Sequence, residues 1–328
     1  MMTKKGLRLV DHDEEGVNNA FRADVLEGLS QEQKAIPARW LYDDAGSQLF
    51  EDITQLPEYY PTRAETEILT DRAGEFADLI GRGRAVVEFG SGSSVKTPLL
   101  LKAIKPAAYV PLDISGDFLR AAAADLATKF PGLPVYPVEA DFMRTVELPK
   151  EIADLPKLGF FPGSTIGNMV ARTAVDLLRN MRETLGTGAQ LLIGMDLIKD
   201  EEVLVAAYDD AAGVTAEFNY NLVRRINREL DGDIPLDALN HEARWVDDFA
   251  RIEMHLVASR DIGFTVCGED FSMRAGDTIH TENSHKFDRR TANTLLLAGG
   301  WEPQTRWLDG KARFSLILAE ARPPRSAP

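Results

Sequence analysis

The chain has one cysteine, no long apolar run and few positive charges for its length. As the only cysteine, Cys267 cannot form an internal disulfide, and this favours a reducing compartment such as the cytoplasm. No segment approaches the ~20 consecutive apolar residues that a membrane span needs. Residues 1–15 are charged and lack the apolar centre of a signal peptide. The sequence therefore predicts a cytoplasmic protein with no membrane partner.

Positive charge is scarce because 37 Lys and Arg residues stand against 52 Asp and Glu residues, for a formal net charge of −15. A field of this sign repels phosphate backbones, and no basic stripe offsets it, so no nucleic-acid partner is expected. His280 and His285 lie close together, but no cysteine or acid stands at a metal-ligand spacing from them. We therefore expect no metal.

A glycine turn after an apolar run is the most informative feature that is present. Residues 86–94 have the sequence VVEFGSGSS, in which two glycines lie one residue apart. The apolar run predicts a strand, and Ser93 and Ser94 predict the cap of a helix over 95–105. Gly90 has no Cβ, so its backbone can approach a nucleotide-like ligand closely. The third glycine of the dinucleotide motif is missing, and this variant is more typical of S-adenosylmethionine (SAM) than of NAD.

Acidic residues follow the next two predicted strands. Asp113 ends the strand over 108–113, roughly 20 residues beyond the glycine turn, where a doubly wound sheet places its ribose-hydroxyl acceptor. Asp141 and Phe142 follow the strand over 134–138, so a carboxylate and a ring are available for an adenine base. For either acid taken alone, capping of the following helix is the better explanation. Three such strand ends together favour a bound adenosine, because ligands bind beyond the carboxyl ends of parallel strands.

Strand-like and helix-like segments alternate after residue 85. The strands are predicted over 85–89, 108–113, 134–138, 157–161 and 189–195, and the helices over 95–105, 116–129 and 171–185. This alternation implies an α/β fold, with a mostly parallel sheet covered on both faces. Further helical patterns run over 64–80 and, interrupted at Gly213, over 201–230.

The change of pattern after Asp196 predicts two domains. We expect a nucleotide-binding core over 64–199 and a second domain assembled from 1–63 and 200–328. The strand-like run over 314–319 fits either the second domain or the core sheet, and the sequence does not decide between them.

Six long motifs resemble those of one family. They are WLYDDAGSQLF (40–50), LPEYYPTR (56–63), GSTIGN (163–168), AYDDAAGVT (207–215), RIEM (251–254) and TENSHKF (281–287). In this order, and from about residue 18 to 320, the chain is similar to the histidine Nα-methyltransferase family of ergothioneine biosynthesis. The resemblance implies a Rossmann-like class I SAM-dependent methyltransferase core with a second α/β substrate-binding domain. It also implies transfer of three methyl groups to the α-amino nitrogen of L-histidine, giving the betaine hercynine.

The resemblance also implies contacts with SAM, the co-substrate. Carried over by position, these contacts fall on Gly90, Lys96, Asp113, Asp141 and Phe142. The Lys96 ammonium would pair with the carboxylate of SAM, whereas the residue pattern alone favours a solvated helix position. Tyr42 matches a family tyrosine that lies near the cofactor and the amine.

The contacts with L-histidine that the resemblance implies fall on Tyr59, Gly163, Asn168, Tyr208, Met254, Glu282 and Ser284. Tyr42 and the Gly163 carbonyl are expected to position the amine, with no single general base. Asn168 and Tyr208 can donate hydrogen bonds to the substrate carboxylate without adding charge.

Glu282 and Ser284 are implied to hold the imidazole ring. They lie two residues apart, so in an extended segment both project to one side. A carboxylate favours a ring N–H, and a hydroxyl serves either ring nitrogen. Met254 is implied to pack on the flat face of the ring. Without the family, core packing explains Met254 and Tyr208, and Glu282 would be a solvated surface acid.

Three other functions fit parts of this pattern. An N-methyltransferase for another amino acid, such as tryptophan, would share the scaffold. Glu282 counts against it because an indole offers one N–H and a buried unpaired acid is costly. An NAD-dependent oxidoreductase would also use the glycine turn, but its motif needs a third glycine that this chain lacks. A non-catalytic binding protein would leave the carried-over contacts without a use. A monomer is expected, while the kinetic order and processivity of the methylations stay open.

Overall fold

The computed structural model describes residues 18–92, 96–114 and 116–322. The predicted helix caps Ser93 and Ser94 lie outside these ranges. Among the described residues, no helix combines the length and the hydropathy of a membrane span.

The described residues form ten α-helices and thirteen strands. The α-helices are α1 (Asn19–Ser30), α2 (Asp44–Gln55), α3 (Pro61–Asp71), α4 (Ala73–Ile80), α5 (Thr97–Ile104), α6 (Gly116–Lys129), α7 (Ala171–Leu185), α8 (Glu201–Ala206), α9 (Val214–Glu229) and α10 (Arg289–Ala298). The strands are β1 (Lys34–Ala35), β2 (Ala85–Phe89), β3 (Ala108–Asp113), β4 (Val138–Glu139), β5 (Lys157–Phe161), β6 (Gln190–Asp196), β7 (Leu239–Val246), β8 (Arg251–Ala258), β9 (Ile262–Val266), β10 (Glu269–Met273), β11 (Thr278–His285), β12 (Trp301–Leu308) and β13 (Phe314–Ala321).

The chain divides into two compact units. One comprises Pro61–Ile198 and Lys286–Pro328, and we call it the seven-stranded unit after its sheet. The other comprises Met1–Tyr60 and Lys199–His285, and we call it the four-stranded unit after the larger of its sheets.

In the seven-stranded unit, the described strands are ordered β12-β13-β6-β5-β2-β3-β4. Strands β2 to β6 pair in parallel, and β13 pairs antiparallel with both β6 and β12. Helices that connect parallel strands cover a doubly wound sheet on both faces. The predicted Rossmann-like α/β core is therefore confirmed, with an antiparallel hairpin added at one edge.

Residues 286–322 correct the predicted domain grouping. The prediction assigned all of 200–328 to the second domain, but β12 and β13 complete the seven-stranded sheet. Six successive residues of β13, from Phe314 to Ala319, are buried. A strand with neighbours on both edges and helices on both faces has this continuous apolar pattern.

Two predicted elements are shorter or divided in the structure. The strand predicted over 134–138 is reduced to β4 and an isolated bridge between Tyr109 and Val135. Pro134 and Pro137 lack the backbone N–H that a longer ladder would need. The helix predicted over 64–80 is divided into α3 and α4 at Arg72.

The four-stranded unit contains a sheet ordered β1-β11-β8-β7 and a separate hairpin of β9 and β10. β1 is parallel to β11, and the other pairs are antiparallel. Its core contains Phe21 of α1, Leu222 and Ile226 of α9, and Leu256 of β8. As predicted, the helical pattern over 201–230 is interrupted at Gly213, which precedes α9 in a left-handed conformation with φ of 74°.

A β-bulge in β11 changes which face its residues occupy. His280 pairs with His255, but Glu282 pairs with Met254, so Thr281 is an extra residue in β11. Because side chains alternate along a strand, an extra residue moves all that follow to the opposite face. Glu282 therefore shares the face of Met254, while His280 shares the face of His255.

Candidate active site

The glycine turn follows β2 at the carboxyl end of the sheet. Gly90 has φ of 74°, and a Cβ on it would lie 3.5 Å from the ring of Phe142. A side chain here would therefore be strained and would fill the space beside that ring. The backbone N–H of Gly92 donates to Asp113 Oδ2 over 3.3 Å. The turn thus presents open backbone between an aromatic ring and a carboxylate.

The predicted acidic residues lie at neighbouring strand ends. Asp113 ends β3, which pairs with β2 on one side and β4 on the other. Asp141 follows β4, and its Oδ1 accepts from the Met143 N–H over 2.9 Å. The ring of Phe142 lies edge-on to two other phenylalanine rings, each with its centroid 6.2 Å away. Parallel pairing therefore brings Gly90, Asp113, Asp141 and Phe142 to the carboxyl end of the sheet.

A buried carboxylate that the sequence did not indicate lies beside this turn. Glu65 of α3 is fully buried, and its Oε2 is 2.6 Å from Lys96 Nζ and 2.9 Å from the backbone nitrogen of Gly163. The structure explains the glycine at position 194 of β6, where a Cβ would lie 2.5 Å from Glu65 Oε1. A residue larger than glycine at position 194 would therefore displace this carboxylate.

A second buried acid precedes the glycine turn. Glu88 accepts hydrogen bonds from two hydroxyl groups. Thr97 Oγ1, at the start of α5, lies 2.7 Å from Glu88 Oε2, and the Tyr109 hydroxyl lies 2.5 Å from the same oxygen. Burial raises the pKa of Glu88 to about 7, although both hydrogen bonds and the Lys96 charge act in the opposite direction. Glu88 thereby ties β2, β3 and α5 together beneath the turn.

The loop after β5 holds Gly163 and Asn168. Ser164 is left-handed with φ of 59°, and its Oγ accepts from the Asp196 N–H over 2.9 Å. Asp196 forms a fully buried ion pair with Lys286, Nζ to Oδ2 being 2.9 Å. Asn168 ends the 3₁₀ turn Thr165–Asn168 and is half-buried. Buried polar contacts therefore fix the conformation of this loop.

In the four-stranded unit, a second group of predicted residues comes together. The Tyr208 hydroxyl lies 2.7 Å from Ser284 Oγ, and the rings of Tyr59 and Tyr208 are 6.2 Å apart. Glu282 is 8% exposed and pairs in register with Met254, which is 1% exposed. A carboxylate and two hydroxyl groups thus lie among apolar and aromatic side chains.

Tyr42 belongs to the same group. Desolvation of its hydroxyl and the nearby Glu282, Tyr59 and Tyr208 raise the pKa of Tyr42 well above its ordinary value. Although 38% of Tyr42 is exposed, its hydroxyl therefore stays protonated and remains a hydrogen-bond donor. Its ring lies edge-on to Phe50, 5.6 Å away, and to Phe218, 5.3 Å away. Phe218 is an aromatic neighbour that the sequence did not indicate.

Hydrogen bonds fix the backbone around both tyrosines. Asp43, next to Tyr42, caps α2 by accepting from the Gly46 N–H and also accepts from Asn221 Nδ2 over 2.7 Å. The Tyr208 carbonyl accepts from His241 Nε2 over 2.8 Å. The backbone at both tyrosines is therefore anchored by contacts that do not involve the tyrosine hydroxyls.

Comparison with known proteins identifies the family. A family model described as histidine-specific methyltransferase, SAM-dependent, matches residues 21–321. The chain belongs to this family. The motif resemblance is thereby confirmed, and so is SAM as the co-substrate.

Curated relatives support this family assignment over nearly the whole chain. The chain is 40% identical over 310 residues to the histidine N-alpha-methyltransferase of Mycolicibacterium smegmatis, and the alignment covers 92% of this chain and 94% of that protein. It is 39% identical to the enzyme of that name from Mycobacterium tuberculosis, with the same coverage. Ergothioneine biosynthesis protein 1 of Neurospora crassa is 31% identical over 304 residues, which span 88% of this chain but 33% of that protein.

The predicted site residues of the methyltransferase fall into two sets, one in each unit. Gly90, Lys96, Asp113, Asp141, Phe142, Gly163 and Asn168 belong to the seven-stranded unit. Tyr42, Tyr59, Tyr208, Met254, Glu282 and Ser284 belong to the four-stranded unit.

One group with metal-ligand atoms lies in the described part of the methyltransferase, on β8 and β11. The ligand atoms of Glu253, His255 and His280 lie within 4.8 Å of one another. Each residue is engaged within the protein: His255 Nε2 is 2.9 Å from Glu253 Oε2, Arg251 pairs with the other oxygen of Glu253, and His280 bonds to a backbone carbonyl. Burial lowers the pKa of both histidines, so their neutral forms are favoured. The grouping arises across strands, which is why spacing along the sequence did not indicate it.

Proposed function

We propose that this methyltransferase transfers three methyl groups in succession from SAM to the α-amino nitrogen of L-histidine, forming hercynine. The observation that carries the proposal is the group of Glu282, Ser284 and Tyr208 among aromatic residues of the four-stranded unit. A carboxylate and hydroxyls beside an apolar surface match an imidazole ring, which has an N–H, a second nitrogen and two flat faces. Family membership supports histidine as the substrate.

The seven-stranded unit would bind SAM. Asp113 would accept hydrogen bonds from the ribose hydroxyls, as the acid at the end of the second strand does in doubly wound folds. Asp141 would accept from the adenine amino group, with Phe142 against the base. The open backbone at Gly90 leaves room for the sugar, and Lys96 would pair with the carboxylate. This set fits the cofactor because a carboxylate and an aromatic ring flank the turn, and a Cβ on Gly90 would take up the space beside that ring.

The four-stranded unit would bind the histidine side chain. Glu282 would accept from one ring N–H, and Ser284 would bond the other ring nitrogen. Met254 would lie against the ring face. Tyr59 and Tyr208 lie in the same aromatic group, and their hydroxyls can donate to the substrate.

Two residues of the seven-stranded unit would contribute to substrate binding. Asn168 would donate to the carboxylate of histidine. The Gly163 carbonyl would accept from the α-amino group and direct its lone pair. The bond from the Gly163 N–H to Glu65 holds the peptide in place for this role.

The chemistry needs position more than a strong base. SAM supplies a methyl group already activated on a sulfonium. In each transfer the neutral amine forms an N–C bond as the S–C bond breaks, and S-adenosylhomocysteine leaves with the electron pair. One proton is lost from nitrogen for each methyl group gained. A free α-amino group has a pKa near 8, so a useful neutral fraction exists at physiological pH.

Tyr42 would act on the amine through its hydroxyl oxygen, which can accept from an amine N–H, and through its aromatic ring. Its raised pKa rules out a tyrosinate base near neutral pH. Its ring, with those of Phe50 and Phe218, can stabilise the growing ammonium by cation–π contact. The product of the third transfer has no N–H left, so aromatic contact replaces hydrogen bonding at that stage.

We further propose that the enzyme works as a cytoplasmic monomer without a nucleic-acid partner. The acidic net charge of −15 and the single, partly buried Cys267 support this assignment. Light scattering coupled to size exclusion measures the oligomeric state.

Isotope labelling tests the reaction. Histidine carrying ¹⁵N at the α-amino group alone is incubated with excess SAM, and the product is analysed by mass spectrometry and ¹⁵N-edited NMR. We expect a gain of three methyl groups whose protons all couple to the labelled nitrogen. Methyl signals on the ring nitrogens, or turnover of tryptophan but not of histidine, would contradict the proposal.

A further inference from the structure

The bulge in β11 is held by two hydrogen bonds around the extra residue. Thr281 is 1% exposed, and its Oγ1 donates to the Met254 carbonyl over 3.1 Å. His280 Nε2 lies 3.0 Å from the carbonyl oxygen of Glu282. Because a carbonyl only accepts, His280 must carry its proton on Nε2. Both bonds are accepted by carbonyls of residues at the bulge, where the regular hydrogen-bond ladder between β8 and β11 is interrupted.

His280 is itself held on the face that it shares with His255. The two imidazole rings are stacked at 4.8 Å with an interplanar angle of 17°. His255 is fixed in turn by Glu253 through Nε2 and by Thr278 through Nδ1, the latter over 3.2 Å. Glu253 also pairs with Arg251. Connected side chains on the face of the sheet opposite Glu282 therefore hold the His280 ring in place.

The face of the sheet that Glu282 occupies depends on this bulge. In a regular strand, residues two apart share a face, so His280 and Glu282 would lie on the same side. The extra residue places them on opposite sides, and it places both Glu282 and Ser284 beside Met254 and Ile252. A bulge is a known means of redirecting side chains next to functional sites.

We propose that His280 is a positioning residue for substrate specificity: its bond to the Glu282 carbonyl fixes the bulge that directs Glu282 and Ser284 toward the imidazole of histidine. This inference rests on the proposed function of those two residues. His280 acts through the strand backbone and does not contact the substrate. It sets the affinity for histidine and leaves SAM binding alone.

His280→Phe tests the proposal because it keeps a ring for stacking on His255 and removes the donor to Glu282. His285→Phe is the matched control: the same change on the same strand, at a ring that bonds to the Phe249 carbonyl instead. We expect His280→Phe to raise the KM for histidine roughly three- to tenfold, the effect of one lost hydrogen bond. The Kd of SAM, measured by calorimetry, should stay within about twofold of wild type, and His285→Phe should leave the histidine KM within the same range.

A double variant separates positioning from a general loss of structure. If His280 acts through the placement of Glu282 and Ser284, then His280→Phe should raise the histidine KM by a clearly smaller factor in a Glu282→Ala background than in the wild type, because only the effect through Ser284 remains. Equal effects of His280→Phe in both backgrounds, or a parallel loss of SAM binding, would overturn the proposal.

A second pair covers the case in which His280→Phe does not fold. Thr281→Val removes the bond to Met254 at nearly constant shape, whereas Thr281→Ser keeps it. We expect the valine variant alone to raise the histidine KM, and equal KM values for both variants would overturn the proposal. Failure of the wild-type enzyme to methylate histidine would instead contradict the proposed function, so the two failures are distinguishable.

Discussion

Glu65 and Lys96 form an ion pair in which Nζ is 2.6 Å from Oε2, with the carboxylate wholly buried and the lysine side chain 13% exposed. The same carboxylate accepts from the Gly163 N–H, so one acid orients both the proposed partner of the SAM carboxylate and the proposed amine-positioning peptide. A buried charge is tolerated only where such partners surround it.

Removing the lysine should therefore be costly. Lys96→Met leaves the Glu65 charge buried beside one backbone donor, and we expect a loss of about 3–5 kcal/mol in the free energy of unfolding. Adding Glu65→Gln should restore a large part of it, because the amide oxygen still accepts from Gly163. Urea denaturation measures both, with Lys129→Met in the exposed Asp125 pair as the control that should cost under about 1 kcal/mol. Additive losses in the double variant would contradict this account.

Asp113 should control the affinity for SAM. Asp113→Ala removes an acceptor for the ribose hydroxyls, and we expect SAM binding to weaken by about 1–3 kcal/mol. Asp113→Asn keeps one acceptor oxygen and should lose less. Calorimetry with Asp125→Ala, an exposed acid of α6, provides the comparison. Wild-type SAM affinity in Asp113→Ala would remove this residue from the cofactor site.

Glu282 should control the affinity for histidine. A charge-assisted bond to the imidazole N–H contributes about 1.5–3 kcal/mol, so Glu282→Ala should raise the histidine KM roughly 10- to 150-fold. Glu282→Gln keeps the shape and one acceptor, and its effect should be smaller. Both should leave the Kd of SAM close to that of wild type.

The same substitution should relax the rejection of other aromatic amino acids, because the carboxylate that disfavours an indole edge is gone. Steady-state kinetics with histidine and tryptophan measure this, and the exposed Glu269→Ala is the control. If both Glu282 variants keep wild-type kinetics, the ring is held by other residues.

Glu88 should make stability depend on pH near neutrality. Its pKa is raised from 4.5 to about 7 in the folded protein, so the folded state binds a proton more tightly than the unfolded state. The stability from this group is fully present below about pH 4.5 and is lost as the pH rises through about 7, by roughly 3 kcal/mol in all. Glu88→Gln keeps the acceptor for Thr97 and Tyr109 but does not titrate. Urea midpoints from pH 5 to 8 should show wild type losing stability relative to this variant, and parallel curves would contradict the prediction.

Local sequence patterns were sufficient for the strand ends of the predicted cofactor site. β2, β3, β5 and β6 match their predicted segments closely because each is a short apolar run bounded by glycine, proline or acid. Parallel pairing then brings their carboxyl ends together wherever the helices lie. Asp113 and Asp141 could therefore be placed at one sheet edge without knowledge of any distant contact.

Contacts between distant segments could not be predicted in this way. Glu65 is an acid on an otherwise ordinary helical pattern, and nothing in that pattern indicates that it is buried beside Gly194 of β6. The bulge at Thr281 leaves no trace in local periodicity, since i and i+2 spacing predicts one face for His280 and Glu282 alike. The pairing of β13 with β6 joins segments that residues 199–285 of the four-stranded unit separate along the chain.

The four-stranded unit interrupts the seven-stranded unit along the chain. β6 ends at Asp196, but its antiparallel partner β13 begins only at Phe314. During synthesis on the ribosome, one edge of the apolar strand β6 therefore stays unpaired until β13 has been made. Such an edge is a template for aggregation in a nascent chain. A polypeptide that stops after His285 lacks β13, so this edge of β6 remains unpaired. Slow or truncated synthesis should therefore increase chaperone binding and inclusion-body formation, even though all residues of the glycine turn are present.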